Sequence, residues 1–486
     1  MNPTEYDQVI VDIAHYVYHY EIKSQKAWDQ ARIALLDAIG CVIQTAATSA
    51  DCKDLLGPVS PGTVVPYGFK LPGTCYQLDP VKGAYDLGTM VRYLDHNDTL
   101  AGADWGHPSD NLGAIIAVGD WLCRNEEGGL IVHTGPPLTL QTLLIALIKA
   151  YEVQGLFLLR NAFNAVGLDH TILVKLASTA VTSWILGLSE EQCKAAISHV
   201  WMDASPLRVY RSGSNTIPRK GWAAGDACMR AVQFALVTKK GQPGAPTVLT
   251  QPRWGFYTTV WRGGSEFELP LDYGSWVVEH VFFKVIPVAG HGISAVEAAL
   301  IQLPRLQAKG MTPEQHIHRI RIRTCAAAKL IIDKAGTLRN AADRDHCMQY
   351  VVSVALLKGS FPEHTDYSDT SPYATSPAIE RLRSITEITV DDGLTRDYMD
   401  LEKRSMPSGV TIELMNGEVL PEVLVEYPAG HPRHDQTPDI LRRKFHRNMS
   451  LMFSGPEIET IERQVADAGD ARISGFIDLL SRNCST

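Results

Sequence analysis

Eight residues, Ile317-His318-Arg319-Ile320-Arg321-Ile322-Arg323-Thr324, alternate apolar with basic or polar side chains. That is the period of a strand with one buried and one wet, basic face. Up to about residue 270 the chain reads differently, with apolar residues recurring at helical spacing. Ile385-Thr386-Glu387-Ile388-Thr389-Val390 is a second β-branched run. Val410 to Leu414 leads into Asn416-Gly417, a hairpin signal, with Val419 to Tyr427 returning. Pro421 in the returning strand calls for an edge or a bulge. Asp345 to Leu357 reads as a helix among these strands, and helical spacing resumes over Asp439–Phe453 and Pro456–Leu480. The pattern predicts a mainly α protein, with a large all-helical domain formed by both chain ends (residues 1–274 and 436–486) and a smaller α+β domain (275–435).

Within the helical part, Thr4 is an expected cap for a first helix, and Ser24 for a second running to about Ile43. Further helices are expected over about Pro80–Leu94, 139–155 and Ile172–Leu186. Ser189-Glu190-Glu191-Gln192 has the spacing of a capping box. The most apolar window, Leu138–Tyr151, contains Gln141 and Lys149, so it reads as a buried helix rather than a membrane span. A net charge of -9 disfavours general nucleic-acid binding. Nine scattered cysteines with no Cys-x-x-Cys pair argue for a reducing compartment and against a disulfide framework or thiolate-held metal. The first 22 residues hold Glu5, Asp7 and Asp12 and no Lys or Arg, unlike a transit peptide, so a cytoplasmic protein is expected.

Chemistry concentrates in Tyr93-Leu94-Asp95-His96-Asn97-Asp98-Thr99 and Asp104-Trp105-Gly106-His107-Pro108-Ser109-Asp110-Asn111. Ser109 or Asp110 is a reasonable N-cap for the apolar run after Leu112. A carboxylate held at that helix start would face Asp95, Thr99 and His107; the plainer reading is a polar loop before a capped helix. His170 beside Asp169 is a capping histidine or a catalytic one. Arg208, Arg211, Arg219 and Lys220 crowd one stretch with Ser212, Ser214 and Asn215, as a solvated loop or a carboxylate clamp. Lys284 and His291 flank Pro287 and Gly290, as a hinge contact or an ordinary interdomain loop. Asp343-Arg344-Asp345-His346-Cys347 reads as a structural ion-pair cluster or cap. The phosphate-loop, dinucleotide, nucleophile-elbow and His-Glu-x-x-His patterns are all missing. What remains is acid–base chemistry on an anionic substrate, with no metal and no cofactor expected.

The opening motif, Gly167-Leu168-Asp169-His170, Arg219-Lys220-Gly221-Trp222-Ala223-Ala224-Gly225-Asp226 and Ala342-Asp343-Arg344-Asp345-His346-Cys347-Met348-Gln349-Tyr350 together resemble the MmgE/PrpD family, and within it the 2-methylcitrate dehydratases. Thr395-Arg396-Asp397-Tyr398, Glu402-Lys403-Arg404-Ser405 and Val425-Glu426-Tyr427-Pro428-Ala429-Gly430-His431 extend the likeness. The resemblance implies a helical domain from both chain ends with an α+β lid domain, a homodimer and no metal. It also implies loss of water from a 2-alkylcitrate, a tricarboxylate, to give a 2-alkyl-cis-aconitate. Carried over by position, it points to Asp95, Thr99, His107, His170 and Lys220 as catalytic. Arg219, Lys284, His291 and Arg211 fall to the substrate carboxylates. The expected arrangement is a cationic, histidine-lined cleft. His107 or His170 is the implied base, with Asp95 orienting a histidine or Thr99.

Two departures matter. Leu100 follows Thr99 where these dehydratases carry Trp, and Phe283 to His291 is one residue short and lacks a Glu. Smaller side chains there predict room for an alkyl chain longer than methyl, as in alkylcitrate dehydratases of fungal maleidride pathways. The competing expectations are a cis-aconitate-type decarboxylase and a silent carboxylate-binding paralogue.

Overall fold

The computed structural model describes residues 5–212, 215–261 and 265–482. They fall into two compact units, one comprising Met1–Val209, Gly221–Val281 and Leu441–Thr486, the other Tyr210–Lys220 and Phe282–Ile440.

The first unit is built of helices. Its described strands are two short antiparallel pairs, β1 (Phe69–Lys70) with β2 (Gln77–Leu78) and β3 (Leu100–Ala101) with β4 (Trp105–Gly106). Its helix starts follow the sequence signals. The Ser24 side chain accepts from the Ala27 amide and opens the helix Gln25–Thr48, which outruns Ile43 because Gln44, Thr45 and Ala46 are still buried. Asp79 caps Pro80–Arg92, Thr139 caps Leu140–Arg160, and Ser189 with Gln192 forms the full capping box. The first helix is Gln8–His19; Thr4 lies outside the described residues, as does Ser214.

Gln25–Thr48 and Leu140–Arg160 are long and apolar enough to cross a membrane, yet 72% and 94% of their apolar windows are buried inside the protein. They are core helices. Lys149 sits in the second, donating to the Val17 carbonyl at 2.6 Å, and burial pulls its pKa down to about 8.

Helices Pro80–Arg92 and Leu112–Glu127 approach through glycine, since a Cβ on Gly113 would lie 2.7 Å from the Gly88 Cα. This close crossing sets the polar segment after Arg92 against the polar turn before Leu112. Helix Thr437–Met449 is tied in by a buried ion pair, Lys444 with Asp37 at 2.7 Å; Lys444 also donates to the His96 carbonyl at 2.7 Å.

The second unit holds a four-stranded sheet of β5 (Ile317–Thr324), β6 (Thr386–Val390), β7 (Ser408–Leu414) and β8 (Val419–Val425), in the order β6-β5-β7-β8. β5 runs parallel to β6 and antiparallel to β7. The expected alternation of β5 is interrupted, because His318 and Arg319 are consecutive polar residues. A register shift between Ile317 and Arg319 absorbs the extra one and keeps Ile317, Ile320 and Ile322 buried. The basic face is neutralised across strands, Arg321 by Glu413 and Arg323 by Glu422 and Asp391.

The hairpin turns on Gly417 at φ +85°, with the Leu414 amide donating to the Glu418 carbonyl at 2.8 Å. Pro421 lies on edge strand β8 beside a second register shift, and its carbonyl accepts from Gln302 on the helix Ile293–Gln307, which packs on β7 and β8.

The helix expected from Asp345 begins only at Met348. Asp345 and His346 instead follow the short helix Ala341–Arg344. Seven described cysteines are free and buried, while Cys75 is disulfide-bonded, against the expectation of a reducing compartment.

Candidate functional site: two buried polar clusters

In the helical unit the polar segment is wholly inside. Asp95, His96, Asn97, Asp98, Thr99, His107, Ser109, Asp110 and Asn111 are all buried. Asp95 takes a left-handed backbone, φ +52°, and its carboxylate accepts from Arg92 one turn back. Such a φ is costly for a residue with a Cβ and persists where its surroundings enforce it.

The pairing of β3 with β4 sets Leu100 opposite Gly106 and so brings Thr99 beside His107. Thr99 donates to the Gly106 carbonyl at 3.2 Å. His107 Nδ1 lies 2.6 Å from the Asp98 carbonyl. A carbonyl only accepts, so Nδ1 carries the hydrogen and Nε2 of the neutral ring is its basic nitrogen. His170 meets His107 edge-on, ring centroids 5.5 Å apart.

His170 occupies the position before helix Thr171–Ile185 but makes no side-chain cap; Asp169 accepts from the Thr171 amide instead, at 3.2 Å. The capping reading of His170 is therefore corrected. Gly106 is the floor of the pair, since a Cβ there would meet Leu158 at 2.9 Å, Gln154 at 3.0 Å and His170 Nδ1 at 3.3 Å.

Ser109 is not the helix cap. A 3-10 turn, Pro108–Asn111, precedes Leu112, and Ser109 binds Asp98 through both its amide, at 3.1 Å, and its hydroxyl, at 2.6 Å. The carboxylate answering this helix start is thus the protein's own. Burial pushes Asp98 up to about 6 against the lowering effect of the Ser109 hydrogen bonds. Behind it Asn97 donates to Ser109 and Asp110, Asn111 to Gln154, and Ser178 to Asn111.

Leu100, expected to border the substrate's alkyl chain, is fully buried, and its side chain lies 2.8 Å from where a Cβ on Gly155 would stand, beside Val277. It fills the core, so the chain-length argument built on it fails.

The α+β unit holds the second cluster. Lys220, in the first turn of helix Arg219–Lys239, donates to both Asp345 oxygens at 2.7 and 2.8 Å. His346 Nδ1 lies 2.6 Å from Asp345 Oδ1 and 3.1 Å from the Lys220 ammonium. The Ala289 amide donates to the Asp345 carbonyl at 3.1 Å, tying in the segment that carries Lys284 and His291, both buried. Gly430, at φ +93°, lets this segment pass: a Cβ there would sit 1.8 Å from the Phe283 carbonyl oxygen.

His291 Nε2 is 3.0 Å from the Tyr398 hydroxyl. Burial first, then Lys284 and His346, hold its pKa down to about 3. Arg404 is brought down to about 10 by burial, and its carbonyl receives His431 at 2.8 Å.

The crowded basic stretch divides. Arg208 stacks on Trp105 at 4.9 Å and lies 3.9 Å from Asp169, whereas Arg211 and Arg219 stack on Tyr210 at 5.1 and 5.4 Å. The Asp343–Cys347 run is an ion-pair cluster as expected: Asp343 pairs with Lys334 and Arg344 with Asp369. The joining of Asp345 and His346 to Lys220, 125 and 126 residues earlier, was missed, because nothing in the sequence ties them together. Tyr398 was missed too, though it lies in a quoted motif. Elsewhere in the helical unit, His15, His19 and Glu190 place ligand atoms within 4.8 Å of one another and could hold a metal ion, but Lys194 already pairs with Glu190 at 3.6 Å.

Residues 11–268 match the MmgE/PrpD N-terminal domain and residues 286–468 the MmgE/PrpD C-terminal domain. The chain is similar to the alkylcitrate dehydratase phiI of a fungal species, 54% identical over 479 residues, covering 99% of this chain and 94% of the relative. It is 50% identical over 486 residues to the 2-methylcitrate dehydratase-like protein oryR of Aspergillus oryzae, covering 98% and 96%. To the 2-methylcitrate dehydratase of Escherichia coli K12 it is 47% identical over 452 residues, covering 92% and 91%. With both domain models matched in order and relatives aligned over almost their whole length, the chain belongs to the MmgE/PrpD family.

Proposed function

We propose that the protein is a hydro-lyase that removes water from a 2-alkylcitrate, either 2-methylcitrate or a longer-chain alkylcitrate, to give a 2-alkyl-cis-aconitate. It is an enzyme of the lyase class. The observation that carries the reading is the buried His107–His170 pair, set in a chain 54% identical to a relative named alkylcitrate dehydratase.

The hydrogen to be removed lies next to a carboxylate and is weakly acidic. Elimination therefore needs a base and fixed positive charge that stabilises an enediolate-like transition state. In this reading His107, through Nε2, or His170 is the base. Asp95 orients a histidine or Thr99. Lys220, Lys284, Arg219, Arg211 and His291 are assigned to the charge of the tricarboxylate. No metal takes part, and chelator treatment that leaves turnover unchanged is the expected result.

Incubation with a series of 2-alkylcitrates, read by mass spectrometry, tests the reading. Loss of water is expected, and the chain turned over fastest fixes the alkyl length. Fastest turnover of 2-methylcitrate would argue against a chain longer than methyl and against a place in fungal maleidride biosynthesis. Release of carbon dioxide would make the protein a decarboxylase, and binding without turnover a silent paralogue.

The lid reading of residues 275–435, the homodimer and the cytoplasmic location belong to the same proposal. Limited proteolysis, light scattering and fractionation test them in turn.

A further inference from the structure

The wet side of the first helix carries metal-ligating groups that the dehydratase reading does not use. We propose that His15, His19 and Glu190 form a site for a zinc-class divalent ion, which clips helix Gln8–His19 to helix Glu190–Met202. All three residues belong to the helical unit.

The sequence places the two histidines together. Helix Gln8–His19 buries Ile10, Ile13, Ala14 and Val17, so positions 15 and 19, about one turn apart, share its exposed side. Their ring centroids are 4.6 Å apart. Histidines four apart on one helix face have the spacing that chelates zinc. The third donor comes from a second element. Glu190, the first residue of its helix, sets Oε2 2.8 Å from His19 Nε2.

The frame around Glu190 is built, not loose. Tyr18, next to His19, donates to the Leu188 carbonyl at 2.7 Å. Ser189 and Gln192 close a capping box at the start of the helix. Helix Glu190–Met202 is therefore held at both its entry and its first turn against the helix that carries the histidines.

A hydrogen bond between His19 and Glu190 needs only one ring. A second ring is set at the same place, and the donor atoms of all three residues lie within 4.8 Å of one another. Around a tetrahedral zinc with bonds of about 2.0–2.1 Å, neighbouring donors stand about 3.4 Å apart. The 2.8 Å pair and the 4.8 Å limit bracket that spacing. His19, 55% exposed, and Glu190, 28% exposed, reach it by side-chain rotation alone.

Lys194 is the competing cation. It lies 3.6 Å from the other oxygen, Oε1, and closer to Glu191, at 2.6 Å. Oε2 stays turned to the histidines. Two imidazoles and one carboxylate select an ion such as Zn²⁺ over Mg²⁺ or Ca²⁺, which take oxygen ligands. The same histidines line a cavity of about 600 Å³ with Tyr16, Tyr20 and Tyr273, which leaves room for water at the remaining position.

The test is titration of Zn²⁺ into the full chain after chelator treatment, by calorimetry and by thermal unfolding. Expected are a saturable component of one ion per chain, a Tm raised by Zn²⁺, and neither with Mg²⁺. His15→Gln, His19→Gln and Glu190→Gln should each weaken that component by at least about tenfold, since loss of a ligand costs no less than loss of a ligand's supporting partner. Lys194→Met should tighten it, because the ammonium no longer competes for the carboxylate; an ion held by scattered surface groups would not respond. The substituted side chains are at the surface, and an unchanged circular dichroism spectrum verifies each fold.

Three results overturn the proposal: no saturable Zn²⁺ binding by the parent at millimolar ion, a Kd for H15Q and H19Q within about threefold of the parent's, or an unchanged Kd for E190Q, which leaves the second helix without a donor. Turnover is not the readout, so failure of the dehydratase reading leaves this site standing, and the reverse.

Discussion

The two polar clusters are assembled in opposite ways. That of the helical unit is mostly one stretch of chain: Arg92 to Asn111 supplies the paired acid, the hydroxyl, one histidine and the Asp98–Ser109 hydrogen bonds, and His170 joins from a single further helix. That of the α+β unit draws on residues near 220, 284–291, 345–346, 398 and 404, separate stretches of the sequence. The first is held by local turns and short hydrogen bonds to its own backbone. The second is held by long-range charge pairing, so it depends more on the electrostatic state of its neighbours. Local clusters should fail through chemistry, and assembled ones through charge.

The largest expected effect lies in the local cluster. His170→Ala should cut turnover by roughly 10²- to 10⁴-fold while thermal unfolding stays close to that of the parent; a folded variant with full turnover would break the comparison on this side.

Lys444→Met comes next. It strands Asp37 in the core and should cost about 3–5 kcal/mol in urea unfolding, as loss of one partner of a buried pair does. Because Lys444 also holds the His96 carbonyl, activity should fall with stability.

Gly106→Ala should cost about 1–3 kcal/mol from overpacking against Leu158 and Gln154. Its turnover should fall further than stability alone explains, because His170 must move; turnover that tracks stability would mean the glycine does not position the ring.

The smallest effect probes the assembled cluster by pH. Burial, Lys284 and His346 keep His291 down to about 3, so below its ordinary value of 6.5 the native state binds fewer protons than the unfolded chain. Stability therefore falls as pH falls from about 6.5 towards about 3, by at most about 1.4 kcal/mol per pH unit for one proton. His291→Gln should flatten that slope by up to one proton's worth, and an unchanged slope would remove His291 from the titrating set.

Legibility followed the same divide. Helix caps at Ser24 and Ser189 and the Asn416-Gly417 hairpin were readable because the groups involved lie a few residues apart. His107 and His170 stood out for their polar neighbours. Their meeting at 5.5 Å required the β3–β4 pairing, whose two-residue strands carry no periodicity to read. Leu100 was misjudged because its position in a motif says nothing of which way its side chain turns. The strand at Ile317 was read as regular although His318 and Arg319 are consecutive polar residues, and the pairing shows the register shift that absorbs the extra one.

What the sequence determined alone is therefore what depends on local free energy: where helices start, where strands alternate, which residues cannot be at ease in an apolar core. What the tertiary structure decided is which of those polar groups neutralise one another. Lys220 read as part of a solvated loop or a carboxylate clamp, and folding joined it to Asp345 and His346. Electrostatic partnership depends on distance through space, and over some 125 residues of chain that distance is set by the packing of everything between.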